Sequence, residues 1–178
     1  MPESGSLALF VAASAALLVV PGPAILFIVA RSVEQGARAG LVSTLGISFG
    51  TLAHVSAAAL GLSALLASSA VAFQALKYAG AVYLVYLGIE TLRRPPAIPR
   101  RAPSARSDRR LFWQAALVNL LNPKTALFFF AFLPQFVDPA RGSSGVQIAS
   151  LGGLYITMAL VNDAAFALFA GGLAEWLR

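Results

Sequence analysis

No cysteine occurs in the 178 residues, and His54 is the single histidine. The first absence excludes disulfides and thiolate metal sites and leaves the redox compartment unread. The second excludes a multi-histidine metal centre within one chain. Charge is scarce too: 11% of residues carry one against 58% hydrophobic side chains, with a mean hydropathy of +0.78. That composition is too apolar for a soluble domain of this size and reads as an all-α integral membrane protein. No glycine-rich nucleotide loop and no serine-histidine-acid arrangement is convincing. Energy from ATP would have to come from another chain, and no cofactor is called for.

The net charge of +6 invites a nucleic-acid reading until its distribution is checked. Arg93, Arg94, Arg100, Arg101, Arg106, Arg109 and Arg110 share one loop with Pro95, Pro96, Pro99 and Pro103. This is a topology signal first, with attraction to anionic lipid as a minor addition. Apolar runs predict five membrane-spanning helices at about 7–30, 41–62, 71–92, 111–137 and 146–173. Between them lie a polar loop at 31–38, an uncharged turn at 63–69, the linker at 93–110 and a short polar loop at 138–145. The N-terminal run lacks Lys and Arg and is too long for a signal-peptide core, so it should stay as a span. Placing the arginine-rich linker in the cytoplasm puts the 31–38 loop there as well, the N-terminus outside and the C-terminus inside. Trp113 reads as an interface anchor, and Lys77 and Glu90 as side chains that reach the interface.

The first run is interrupted by Pro21-Gly22-Pro23 inside a charge-free stretch from Ser4 to Ala30. Two prolines around a glycine leave carbonyls unpaired, which hydrocarbon tolerates only where the break faces protein or a water-filled cavity. A second interruption, Asn119 to Lys124 with Asn122-Pro123 at its centre, follows about a hundred residues later. Paired broken helices point to a transporter's binding site. The linker divides the chain into a first three-helix repeat, 1–92, and a second, 111–178. After three spans the second repeat enters the membrane in the opposite direction, as in an inverted repeat. The segments 23–30 and 124–131 share Leu, Phe and Ala at the same offsets.

Gly46, Gly50 and His54 lie along one helical face with Ser43, Ala53, Ala57 and Gly61. Close helix packing is the preferred role for the glycines. His54 falls about 20 Å into a core about 30 Å thick, where proton transfer and a neutral, hydrogen-bonded ring both stand open. Lys124 and Asp163 are charges at membrane depth and need each other, a water-lined cavity or a charged solute. With the Asn119 and Asn122 amides they form a set for a zwitterion: Lys124 and a broken-helix N-terminus toward a carboxylate, carbonyls and Asp163 toward an ammonium. The aromatic residues Tyr83, Tyr86 and Phe128 to Phe130 read as lipid-facing or packing.

These residues bring the chain close to a known family. The stretches PGPAILFIVARSVEQGARAG at 21–40, LGISFGTLAH at 45–54, LKYAGAVYLVYLGIETLR at 76–93 and LVNLLNPKTALFFFAFLPQFV at 117–137 resemble the LysE/RhtB family of amino-acid exporters. The NPK segment ending in LPQF is the most specific. The resemblance implies a multi-pass inner-membrane exporter of amino acids or close derivatives, driven by protons. By position its motif residues are Pro21, Gly22, Pro23, Gly46, Gly50, Asn122, Pro123 and Lys124. Two departures stand out. Ala24 occupies the place where the family commonly has Asn, and family members usually carry six helices as a 3+3 inverted repeat. A truncated reading frame, a natural short form and a homodimer that completes the fold are the three accounts of the second.

The leading expectation is therefore secondary export of small zwitterions, with His54 or Asp163 titrating to couple protons. The rival from another class is a non-transporting membrane protein, a structural partner or a remnant. A metal-cation exporter is disfavoured by one histidine and few buried acids. An intramembrane enzyme lacks a nucleophile and base pair.

Overall fold

A computed structural model describes residues 4–68 and 107–177, with residues 71, 75, 78, 82 and 89 between them. Six helices form the described bundle: α1 (Ser4–Val19), α2 (Pro23–Gln35), α3 (Ala37–Ser68), α4 (Asp108–Leu120), α5 (Pro123–Leu127) and α6 (Ser144–Trp176). No strand occurs among the described residues. Two helices, α3 and α6, are each long and apolar enough to cross a membrane, and two bent pairs, α1 with α2 and α4 with the helical segment Pro123–Phe136 that α5 opens, raise the number to four if each is one span. The expected third span, with Lys77, Tyr83, Tyr86 and Glu90, lies otherwise outside the described residues, as does most of the linker. Its five described positions are helical.

The two breaks have the same local cause. Pro21 lacks an N–H and disfavours helical backbone at Val20, so α1 stops at Val19. Gly22 is extended and Pro23 opens α2 at its first position, where a missing N–H costs nothing. Asn122 and Pro123 repeat this at the start of α5. The axes bend by 50° at the first break and 52° at the second. Beyond α5 the helix widens into a π turn over Phe128–Phe132 and tightens to a 3-10 turn over Leu133–Phe136. Pro134 accounts for the change, since its ring crowds the carbonyl four residues back.

Four boundaries differ from the sequence expectation. The polar stretch at 31–38 is mostly helix, because Arg31 and Glu34 pair at 2.7 Å within the last turns of α2. The connection to α3 needs only Gly36, whose φ of 86° suits glycine. Of the turn expected at 63–69, residues 63–68 are helical, as α3 continues to Ser68, since 63–68 holds neither Pro nor Gly. The fourth segment starts at Asp108 rather than at 111, and the last spans Ser144–Trp176.

Small residues set the packing. Gly46 lies against Phe112 and Ala115, and Gly50 against Ala116 and Asn119, so α3 and α4 run parallel in close contact. Gly40 meets Ala167, Gly152 meets Val55 and Gly171 meets Ala37, so α6 runs antiparallel to α3. The starts of α3 and α4 and the end of α6 consequently share one end of the bundle, where Arg38 pairs with Asp108 at 2.8 Å. At the other end Phe10 of α1 packs against Phe128 and Phe136. Phe128 and Phe129 are buried core residues. Apolar side chains such as Leu45, Phe49, Leu60, Val161 and Phe169 face outward while His54, Asn119 and Asp163 are buried. Polar inside and apolar outside is the arrangement that lipid imposes.

Candidate functional site

Both breaks open onto one polar centre. It is lined by Leu18, Gly22, Ala24 and Ile25 around the first break, and by Asn119, Asn122, Lys124 and Thr125 around the second. Ile47 and Thr51 of α3 and Tyr155, Ala159 and Asp163 of α6 close the remaining walls. The free space is about 40 Å³, room for roughly three waters.

Lys124 joins the breaks. Its Nζ donates to the carbonyl oxygens of Leu17 at 2.6 Å and Val20 at 2.7 Å. A helix leaves its last carbonyls without internal partners and carries partial negative charge there, so an ammonium is well matched to the end of α1. Asn162 Nδ2 of α6 adds a longer bond, 3.4 Å, to Leu18 O. The stem of Lys124 crosses Gly22, where a Cβ would lie 3.3 Å from Lys124 Cδ.

The two following helices start differently. At α5, Asn122 Oδ1 accepts from Lys124 N at 3.1 Å, an N-terminal cap. At α2, Gly22 has no side chain to cap, and no side-chain cap bond is present. Ala24 and Ile25, two residues that line the cavity, are among those whose N–H groups a helix start leaves without an intrahelical partner. Asp163 is buried opposite, 4% exposed, and its Oδ1 accepts from Asn162 Nδ2 at 3.1 Å. Among the described residues no ion pair joins it to Lys124, although both line the same cavity.

Asn119 is used up by the protein itself. Its Nδ2 donates to Ile47 O and to Thr51 Oγ1, both at 2.8 Å. Its Oδ1 accepts from Thr125 Oγ1 at 2.9 Å and from Asn122 Nδ2 at 3.4 Å. His54 Nε2 lies 3.1 Å from the main-chain oxygen of Asn119, and the imidazole stacks parallel to Phe129. His54 does not line the cavity. Of the residues singled out from the sequence, the structure brings Gly22, Asn119, Asn122, Lys124 and Asp163 to one cavity. Pro21, Pro23 and Pro123 shape the breaks, and Gly46 and Gly50 lie at the α3–α4 contact. Sequence reasoning missed Thr51, Thr125 and Tyr155. The hydroxyls of Thr51 and Thr125 meet Asn119 only through the tertiary fold.

A helical bundle with outward apolar faces, two broken helices, a part-buried Lys124 and a buried Asp163 at one cavity defines the class as a membrane-embedded helical protein. The profile of the LysE type translocator family matches residues 15–178, and the chain belongs to that family. A homoserine/homoserine lactone efflux protein of Salmonella typhimurium is 34% identical over 166 residues, covering 93% of this chain and 80% of that protein. An uncharacterized membrane protein of Vibrio cholerae is 33% identical over 159 residues, 89% of this chain and 77% of its own. A Bacillus subtilis membrane protein is 28% identical over 166 residues, 88% and 79% of the two chains. No solved structure matches the chain.

Proposed function

We propose that this chain is a secondary exporter of small amino-acid-like zwitterions across the inner membrane, with the proton gradient as its driving force. The observation that carries the reading is Lys124, which stands in a cavity shared by both breaks and bonds across from one to the other. A solute carboxylate would take the ammonium of Lys124 and the uncapped start of α2, where amides and helix dipole favour an anion. The solute ammonium would take Asp163. Family membership and the Salmonella relative's activity support homoserine as the first solute to try, with its lactone, which has no carboxylate to offer Lys124, as the comparison.

The 40 Å³ cavity belongs to a closed conformation in this reading, and a solute enters only when the walls part. Lys124 then acts as a latch. A carboxylate competes with the carbonyls of Leu17 and Val20 for the same ammonium, so its arrival releases the end of α1. Asp163, facing the same space, takes up the coupling proton.

The linker end of the bundle faces the cytoplasm in this proposal and the N-terminus lies outside. The shared end of α3, α4 and α6 supports that orientation, since it gathers Arg38, Arg109 and Arg110. The matching Gly22-Pro23 and Asn122-Pro123 starts support two inverted repeats, 1–92 and 111–178, joined by the 93–110 linker. The test is efflux of labelled homoserine, its lactone and a panel of amino acids from proteoliposomes under an imposed pH gradient. Gradient-dependent flux of one or more solutes is expected. Absence of flux from a correctly inserted chain would favour the non-transporting alternative.

A further inference from the structure

His54 is titratable, buried and at membrane depth, so its part in an exporter has to be decided on geometry. Its Nε2 faces the carbonyl oxygen of Asn119 at 3.1 Å. A carbonyl only accepts, so this nitrogen carries the proton. Releasing that proton would set two acceptors against each other inside the bundle, so a carried proton would have to use Nδ1, on a ring that does not line the cavity. Of the titratable groups on the elements packed around it, Arg31 and Glu34 of α2, Asp108, Arg109 and Arg110 of α4 and Glu175 of α6 lie toward the end of the bundle where α3 and α4 start, which leaves Lys124 of α5, and Asp163 and Tyr155 of α6. Those three line the cavity and His54 does not, while Tyr155 packs edge-on against Phe129, the ring that stacks on the imidazole.

Ile47, Thr51 and His54 repeat along one face of α3, and all three grip Asn119. Ile47 O and Thr51 Oγ1 take both side-chain protons of Asn119, and His54 takes its main-chain oxygen. Asn119 Oδ1 in turn holds Thr125 and Asn122, and Asn122 caps the amide of Lys124. One chain of bonds thus runs from α3 to the residue that latches the first break. With both donors and both acceptor positions of its amide taken, Asn119 has nothing left for a solute.

We propose that His54 and Asn119 are positioning residues that pin the second break to α3 as a fixed wall, and that His54 is not the carrier of the coupling proton. The inference rests on the export reading for its purpose but not for its geometry. The first break is held across by Lys124 and the longer Asn162 bond, so opening occurs there.

Two variants separate the roles. H54Q keeps an N–H donor of similar reach and loses the imidazole; H54F keeps the flat ring against Phe129 and loses the donor. Amide hydrogen exchange on the solubilised protein needs no transport. Across 119–127 H54F should exchange about tenfold faster, as loss of one buried hydrogen bond predicts, and H54Q should match the unaltered chain. Equal exchange in all three proteins would overturn the positioning role. In proteoliposomes H54Q should retain export with the pH profile of the unaltered chain; loss of gradient-driven flux in H54Q, with uphill counterflow intact, would make His54 the proton carrier and end the proposal. If the unaltered chain moves no solute but H54F alone loosens 119–127, the export reading fails and the positioning role stands. Should H54F not accumulate, H54Q exchange and flux decide the matter.

Discussion

Replacing Lys124 with Met tests the latch most directly, because Met keeps most of the apolar stem across Gly22 and removes only the ammonium. Two charge-assisted bonds are lost, to Leu17 O at 2.6 Å and Val20 O at 2.7 Å. Hydrogen bonds to charged groups contribute about 1.5–3 kcal/mol each, so the gross loss is roughly 3–6 kcal/mol. Part is returned because an ammonium no longer needs desolvating and because cavity water can reach the freed carbonyls. A net weakening of the closed form by about 2 kcal/mol follows, roughly a thirtyfold shift toward open conformations. The chain has no native cysteine, so a single cysteine at Leu18, which is buried in the closed form, reports the opening. Maleimide should label L18C about thirtyfold faster when Lys124 is Met. Saturating homoserine should speed labelling when Lys124 is present and have no effect when it is absent. Export should fall by about a hundredfold or more, since the variant also loses the carboxylate's cation. Unchanged labelling together with unchanged export would refute the latch and remove Lys124 from the site.

Three further outcomes follow from the same geometry. D163N, nearly isosteric, should remove the dependence of export on the pH gradient and also weaken solute counterflow, because the carboxylate that takes the solute ammonium is lost; gradient-driven flux at the normal rate would remove Asp163 from coupling. G46A should lower the melting temperature of the solubilised protein, because the new methyl would overlap the Phe112 carbonyl and approach Ala115 Cβ to 2.8 Å. Overpacking of that kind costs about 1–3 kcal/mol, and an unchanged melt would contradict the close α3–α4 contact. In intact cells an impermeant thiol reagent should label a cysteine placed at Ser144 and spare one at Ser104; the reverse pattern would invert the assigned orientation.

Much of the site was legible because hydrocarbon makes certain residues conspicuous. Prolines inside an apolar run break a helix wherever they stand, and a Lys or Asp at membrane depth needs a partner whatever the fold. Pro21, Pro23, Pro123, Lys124 and Asp163 announce themselves for that reason. Thr51 and Thr125 do not, since a threonine hydroxyl in a membrane helix is ordinarily satisfied by the carbonyl one turn back. Thr51 makes that bond, to Ile47 O at 3.1 Å, and becomes part of the network only because Asn119 approaches from α4.

By itself, then, the sequence determined the all-helical membrane class, the two breaks and the charges that must face inward, all consequences of local chain chemistry in an apolar solvent. Which carbonyls receive Lys124, whether the Asn119 amide is free or spent, and which way His54 points were decided only by tertiary structure. They depend on the parallel α3–α4 and antiparallel α3–α6 contacts that Gly46, Gly50, Gly152 and Gly171 permit. A hydrogen-bond partner more than 60 residues away in the chain, as Asn119 is for His54, is set by how closely two backbones approach, and no local pattern encodes that distance.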